Sequence, residues 1–137
     1  MVYKINIAKT KTIGELQKEF NTIFPFLKIE FFIDPHVMGK GSAKNKMINN
    51  ATQIGDIQKI KDVHTIALES NFSVSNLEQK FENELGLYIQ VFRKSGNVWL
   101  ETSATDSWTL AEQNEEGEML AKAFRQEREN FDDHDVY

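Results

Sequence analysis

The sequence predicts an α+β protein in which one strand-helix-strand-strand-helix unit (β-α-β-β-α) is written twice, as a tandem duplication. Three observations predict it: an internal echo, segments of period-two alternation, and helix-start signals at matched places. Residues 2–7 (VYKINI) return as 63–68 (VHTIAL), and 12–16 (TIGEL) as 73–77 (SVSNL). Phe20 returns as Phe81, 29–32 (IEFF) as 89–92 (IQVF), and 45–48 (NKMI) as 97–100 (NVWL). A fixed period means one supersecondary unit used again. Residues 1–61 form the first unit and 62–137 the second. A unit of that length has a marginal core by itself, so the two are expected to pack as one body.

Each element has a local reason. In residues 2–8, Tyr3, Ile5 and Ile7 alternate with Lys4 and Asn6, the pattern of a half-buried strand. Thr12 and Glu15 have capping-box spacing, and Ile13, Leu16, Phe20 and Ile23 follow at helical spacing. Pro25 ends that helix. Residues 28–33 alternate again, with Ile29, Phe31 and Ile33 as the expected core face. Residues 34–45, with Pro35, Gly39 and Gly41, read as a loop. A short strand near 46–49 and a short helix near 53–59 complete the unit.

In the second unit a strand is expected over 63–69 and a helix over 74–84. Strands follow at 88–92 and 98–102, joined by a hairpin at Arg93-Lys94-Ser95-Gly96-Asn97. Thr109 and Glu112 form another capping box, opening a helix to about Asn130, with a frayed acidic tail after it. A right-handed crossover is expected to make the first two strands of each unit parallel. The product is a mixed sheet, or two, with helices on one face.

The net charge of −5 conceals an asymmetry. Residues 1–61 carry ten Lys against five acids, 10 − 5 = +5; residues 62–137 carry six basic residues against sixteen acidic ones, 6 − 16 = −10. Opposite halves permit head-to-tail self-association. Cysteine is absent, so disulfides and thiolate-ligated metals are excluded. With no apolar run of membrane-spanning length and no apolar leader, a cytoplasmic protein without membrane contact is expected.

Two surfaces are candidate binding sites. If the first two strands of a unit are parallel, their carboxyl ends share an edge with the helix start. That edge gathers Lys9, Lys11, Lys40, Lys44 and Lys46, with Arg93 and Lys94 as the second-unit counterpart. Helix amides and lysines together suit phosphate or nucleic acid; a lysine-rich rim without a ligand is the simpler reading. The second surface is the outward sheet face. It carries Lys4, Lys28 and Glu30 in one unit and Tyr88, Phe92 and Trp99 in the other. Such aromatics stack on bases or anchor a protein partner. The extra helix occurs in the same unit, which favours its folding over this face and burying them.

Catalytic and metal motifs are lacking, and no cofactor is implied. The stretch 40–42 (KGS) lacks the upstream glycine spacing of a phosphate loop, and no serine sits in a Gly-x-Ser-x-Gly elbow. His36, His64 and His134 lie far apart; His64 takes the place of Tyr3 and is expected to be packed and hydrogen-bonded. The expected function is therefore a non-catalytic binding or adaptor module for a protein partner. Nucleic-acid or phosphate binding through the basic edge is the alternative, and an enzyme of unknown type ranks third. The stretch 91–110 (VFRKSGNVWLETSATDSWTL) resembles a segment of small uncharacterised proteins of Bacteroidetes bacteria. No activity attaches to that group, so the resemblance implies no site residue.

Overall fold

A computed structural model describes residues 2–33, 46–58 and 64–134, the last five of these for backbone only. The described residues form an α+β fold with five strands in two antiparallel sheets and four helices. The order is β1 (Val2–Ile7), α1 (Ile13–Ile23), β2 (Leu27–Phe32), α2 (Ile54–Ile57), β3 (His64–Glu69), α3 (Val74–Leu85), β4 (Tyr88–Ser95), β5 (Val98–Glu101) and α4 (Leu110–His134).

The pairing departs from expectation. β1 does not lie beside β2; it pairs antiparallel with β3, and β2 pairs antiparallel with β4 in a sheet of order β2-β4-β5. The parallel crossover pair and the mixed sheet are therefore replaced by antiparallel ladders between the halves. The physical reason lies in the register. Ile5 faces Ile66, 66 − 5 = 61 positions on, and Glu30 faces Gln90, 90 − 30 = 60 positions on. Each strand thus pairs with its own sequence counterpart, centred on the matched residue. A local two-fold axis imposes this geometry, because matched surfaces then meet in both directions.

The same correspondence governs the helix starts. The Ile13 and Gly14 amides donate to Thr52 O and Asn50 O, at 2.9 Å each. Ile54 and Gly55 return the bonds to Lys11 O and Lys9 O, at 2.9 and 2.8 Å. In the other half, Val74 and Ser75 donate to Trp108 O and Asp106 O, at 3.0 and 2.8 Å, while Leu110 and Ala111 donate to Phe72 O and Ser70 O, at 2.9 Å each. Two helix N-termini satisfy each other's orphan amides through the loops that precede them. Gly55 allows the closest approach: a Cβ there would stand 2.9 Å from Lys9 O. The duplication expected from the sequence is a statement about descent; the structure shows this repeated hydrogen-bond pattern.

One core serves both halves. Ile5, Ile7, Leu16, Phe20, Ile29 and Phe31 share a buried cluster with Ile66, Leu68, Leu77, Phe81, Ile89 and Val91. Phe31 and Phe81 meet edge-on across the halves at 6.1 Å between centroids. The caps form as expected: Thr12 with Glu15, and Thr109 with Glu112, exchange backbone and side-chain bonds of 3.0–3.1 Å.

Other expectations need correction. Near 46–49 there is a single bridge, Phe32 to Met47, in place of a strand. Met47 matches Glu101, which faces Phe92, so the expected match of 45–48 to 97–100 is out of register there. Ile33 lies beyond the end of β2 and is 62% exposed, whereas Phe32 is buried. α4 continues through the supposed tail to His134, about 37 Å at 1.5 Å per residue. His64 bonds Glu84 at 3.1 Å, yet its side chain is 42% exposed, at the first position of β3.

Because Phe20 and Phe81 sit in the same core, Phe20→Ala and Phe81→Ala are each expected to cost about 3–5 kcal/mol. Denaturation followed by circular dichroism and by tryptophan emission should give one coincident transition in both variants. Separate transitions would show two independent cores.

Candidate functional site

The expected basic edge does not assemble, because its premise, a parallel β1–β2 pair, is not formed. Lys9 is exposed, while its carbonyl belongs to the α1–α2 latch. Lys11 turns inward to Asn6 O and pairs with Glu19 Oε2 at 2.6 Å. Lys46 is exposed, and Lys40 and Lys44 lie outside the described residues. Arg93 and Lys94 are neighbours on a strand, so their side chains leave opposite faces. The helix starts are occupied as well. The amides of Ile13, Gly14, Glu15 and Leu16 are all bonded within the protein.

Arg93 belongs to the docking of α4. Its Nη1 donates to Gln113 Oε1 at 2.9 Å, and its guanidinium lies 5.7 Å from the Trp108 ring centroid. Gln113, fully buried, donates to Thr105 O and Thr105 Oγ1 at 2.8 Å each. Phe26 N donates to Asn114 Oδ1 at 2.9 Å, and Gly117 brings the helix against Phe26. These contacts fix α4 on the face that Arg93 shares with its cross-strand neighbour Leu27, which is the core face.

The outward aromatic face is consequently not beneath α4, contrary to the reading favoured by the sequence. On that face the register sets Lys28 opposite Phe92 and Phe92 opposite Glu101, Glu30 opposite Gln90, Phe32 opposite Tyr88, and Lys94 opposite Trp99. Lys28 Nζ lies 5.3 Å from the Phe92 centroid, 5.3 Å from the Trp99 ring and 3.3 Å from Glu30 Oε2. Lys94 Nζ lies 5.1 Å from the Trp99 ring. Trp99 is therefore flanked by two ammonium groups, each held by the negative face of the indole. Burial is graded along the face. Gln90 and Phe32 are buried, and Tyr88, Phe92 and Trp99 are half-buried. Gln90 Nε2 bonds Val91 O at 3.0 Å, and its buried Oε1 has no hydrogen-bond partner among the described residues. Alternation identified the face from sequence; the lysine–tryptophan arrangement needed the cross-strand register.

Two carboxylates are electrostatically set by their neighbours. Glu84 accepts from His64 at 3.1 Å and pairs with Lys80 at 3.2 Å. Burial works to raise its pKa, but the hydrogen bonds from His64 and Lys80 and the lysine charge together hold it below its ordinary value. The Thr109 amide and hydroxyl lower that of Glu112. Among the described residues no group of three or more His, Asp or Glu is placed to hold a metal ion. No helix among them is long and apolar enough to cross a membrane. No protein-family model, curated protein or solved structure matches the chain.

A carboxylate with a lowered folded pKa stabilises above its unfolded pKa, and that stability is lost as pH falls through the folded value. Glu84→Gln and Glu112→Gln should therefore lower Tm at neutral pH. The gap to the unsubstituted protein should close on acidification through the carboxylate range. A gap independent of pH would show that ionisation has no part in it.

Proposed function

We propose that the chain is a non-catalytic binding module that engages a partner protein through the outer face of β2-β4-β5. One observation carries this reading. Phe92 and Trp99 stand half-exposed between Lys28 and Lys94, while the helix that would have covered them packs on the opposite face. Partly exposed Trp, flanked by cations on a rigid sheet, has the composition of an interface anchor. A strand scaffold also fixes the side chains in advance, which lowers the ordering cost of binding. The acidic partner residues that two lysines attract then approach the ring plane from either side.

Phosphate or nucleic-acid binding at the basic edge has less support, since Lys11 is paired and the helix amides beside it are bonded. The two readings separate in one comparison. In quantitative affinity capture, a protein retained by the natural sequence should be lost with Phe92→Ser/Trp99→Ser and kept with Lys9→Glu. A single-stranded oligonucleotide that binds at low salt, and weakens with Lys9→Glu, would contradict the proposal. Identical captured proteins with and without the face substitutions would contradict it too.

A further inference from the structure

The three-stranded sheet ends differently on its two sides. At β2 the outward carbonyls are occupied: Leu27 O accepts from Asn21 Nδ2 at 2.8 Å, Ile29 O from Gln17 Nε2 at 2.9 Å, and Phe31 O from the Ile48 amide at 2.7 Å. Helix α1 and the chain at Met47–Ile48 thus close that edge. β5 is the other end of the order β2-β4-β5. The Thr102 amide bonds Val91 O at 3.2 Å, which sets the parity of the ladder. Antiparallel partners alternate between bonded and non-bonded pairs. With Phe92 facing Glu101, Arg93 facing Leu100 and Lys94 facing Trp99, the backbones of Trp99 and Glu101 point away from β4. No strand pairs with them among the described residues.

We infer that β5 pairs antiparallel with β5 of a second copy of this chain, about a two-fold axis at Leu100. The pairing is self-complementary. Trp99 of each copy bonds Glu101 of the other, forming about four backbone hydrogen bonds. The charges select this register. Glu101 of one copy stands opposite the Trp99 that carries Lys28 and Lys94 in the other. Centring the axis on Glu101 would set like charges directly opposite, which destabilises a strand pair. Centring it on Trp99 would set Glu101 opposite Asn97 and forfeit that charge pairing. On the other face Leu100 meets Leu100, and this side chain is 44% exposed in the single chain, next to Val98 at 50%. A four-residue strand gives a small interface, so the dimer is weak and concentration-dependent. The inference goes beyond the face-binding reading and does not depend on it.

The chain has no cysteine, which makes a single added thiol diagnostic. Leu100 meets its counterpart as a non-bonded pair with Cα atoms about 4.5 Å apart, within reach of a disulfide. Under mild oxidation Leu100→Cys should form a covalent dimer at least about tenfold faster than Met119→Cys, a helix position 56% exposed. Adding Glu101→Lys should slow the reaction, and adding Lys94→Glu to that pair should restore it. Equal rates at the two positions, or no effect of the charge changes, would overturn the inference and leave the edge to a foreign strand. The unsubstituted chain gives a second test: sedimentation should show reversible dimers as concentration rises towards about 1 mM. A strict monomer throughout would likewise overturn it.

Discussion

Antiparallel pairing of matched strands is the constraint on which the rest of this structure depends. Ile5 on Ile66 and Glu30 on Gln90 fix the two halves about a local two-fold. Neither sheet is confined to one half under this arrangement, although the β4–β5 hairpin lies within the second. β1 has its ladder partner in β3, and β2 has its partner in β4. The conformational entropy of ordering either half is therefore offset only when both are present. The shared cluster of Phe20, Phe31, Phe81 and their neighbours follows directly, since facing ladders bring both sets of apolar side chains to one interior.

The repeated helix latch shows how little sequence identity such a pattern needs. Ile13 and Gly14 in one half, and Val74 and Ser75 in the other, donate to loop carbonyls of unrelated residues. Backbone groups make these bonds, so side chains are free to diverge around them. The larger differences lie outside the shared core. One half closes its sheet edge with Gln17, Asn21 and Ile48. The other ends in β5 with Val98 and Leu100 exposed, and adds a helix held by Arg93, Gln113 and Gly117.

Much of the element order was legible in the sequence, because alternation and capping boxes are local signals. The box of Thr12 and Glu15 and the box of Thr109 and Glu112 occur where spacing placed them. The hairpin turns at Gly96, although β4 runs on through Arg93, Lys94 and Ser95, which spacing assigns to the turn. Strand partners were not legible. A local pattern says that residues 2–7 form a strand, yet nothing in them says whether residues 27–32 or 64–69 lie alongside. The handedness rule for crossovers applies only to strands within one sheet, and β1 and β2 are in different sheets. The candidate site shared this fate. Phe92 and Trp99 were identifiable as outward residues, whereas Lys28 reaches them only through the pairing of β2 with β4. Arg93 had the charge for a basic edge but serves α4, a contact between residues 20 positions apart that no local signal carries.

Native-state hydrogen exchange tests the central claim most directly, that both ladders belong to one cooperative unit built across the halves. The hydrogen-bonded amides of the β1–β3 ladder and those of the β2–β4 ladder should exchange at the same free energy, that of global unfolding. Their protection should also fall together with denaturant. If the amides of β1 and β3 exchange through a separate, lower-energy opening while those of β2 and β4 stay protected, the two ladders are independent and the account is wrong.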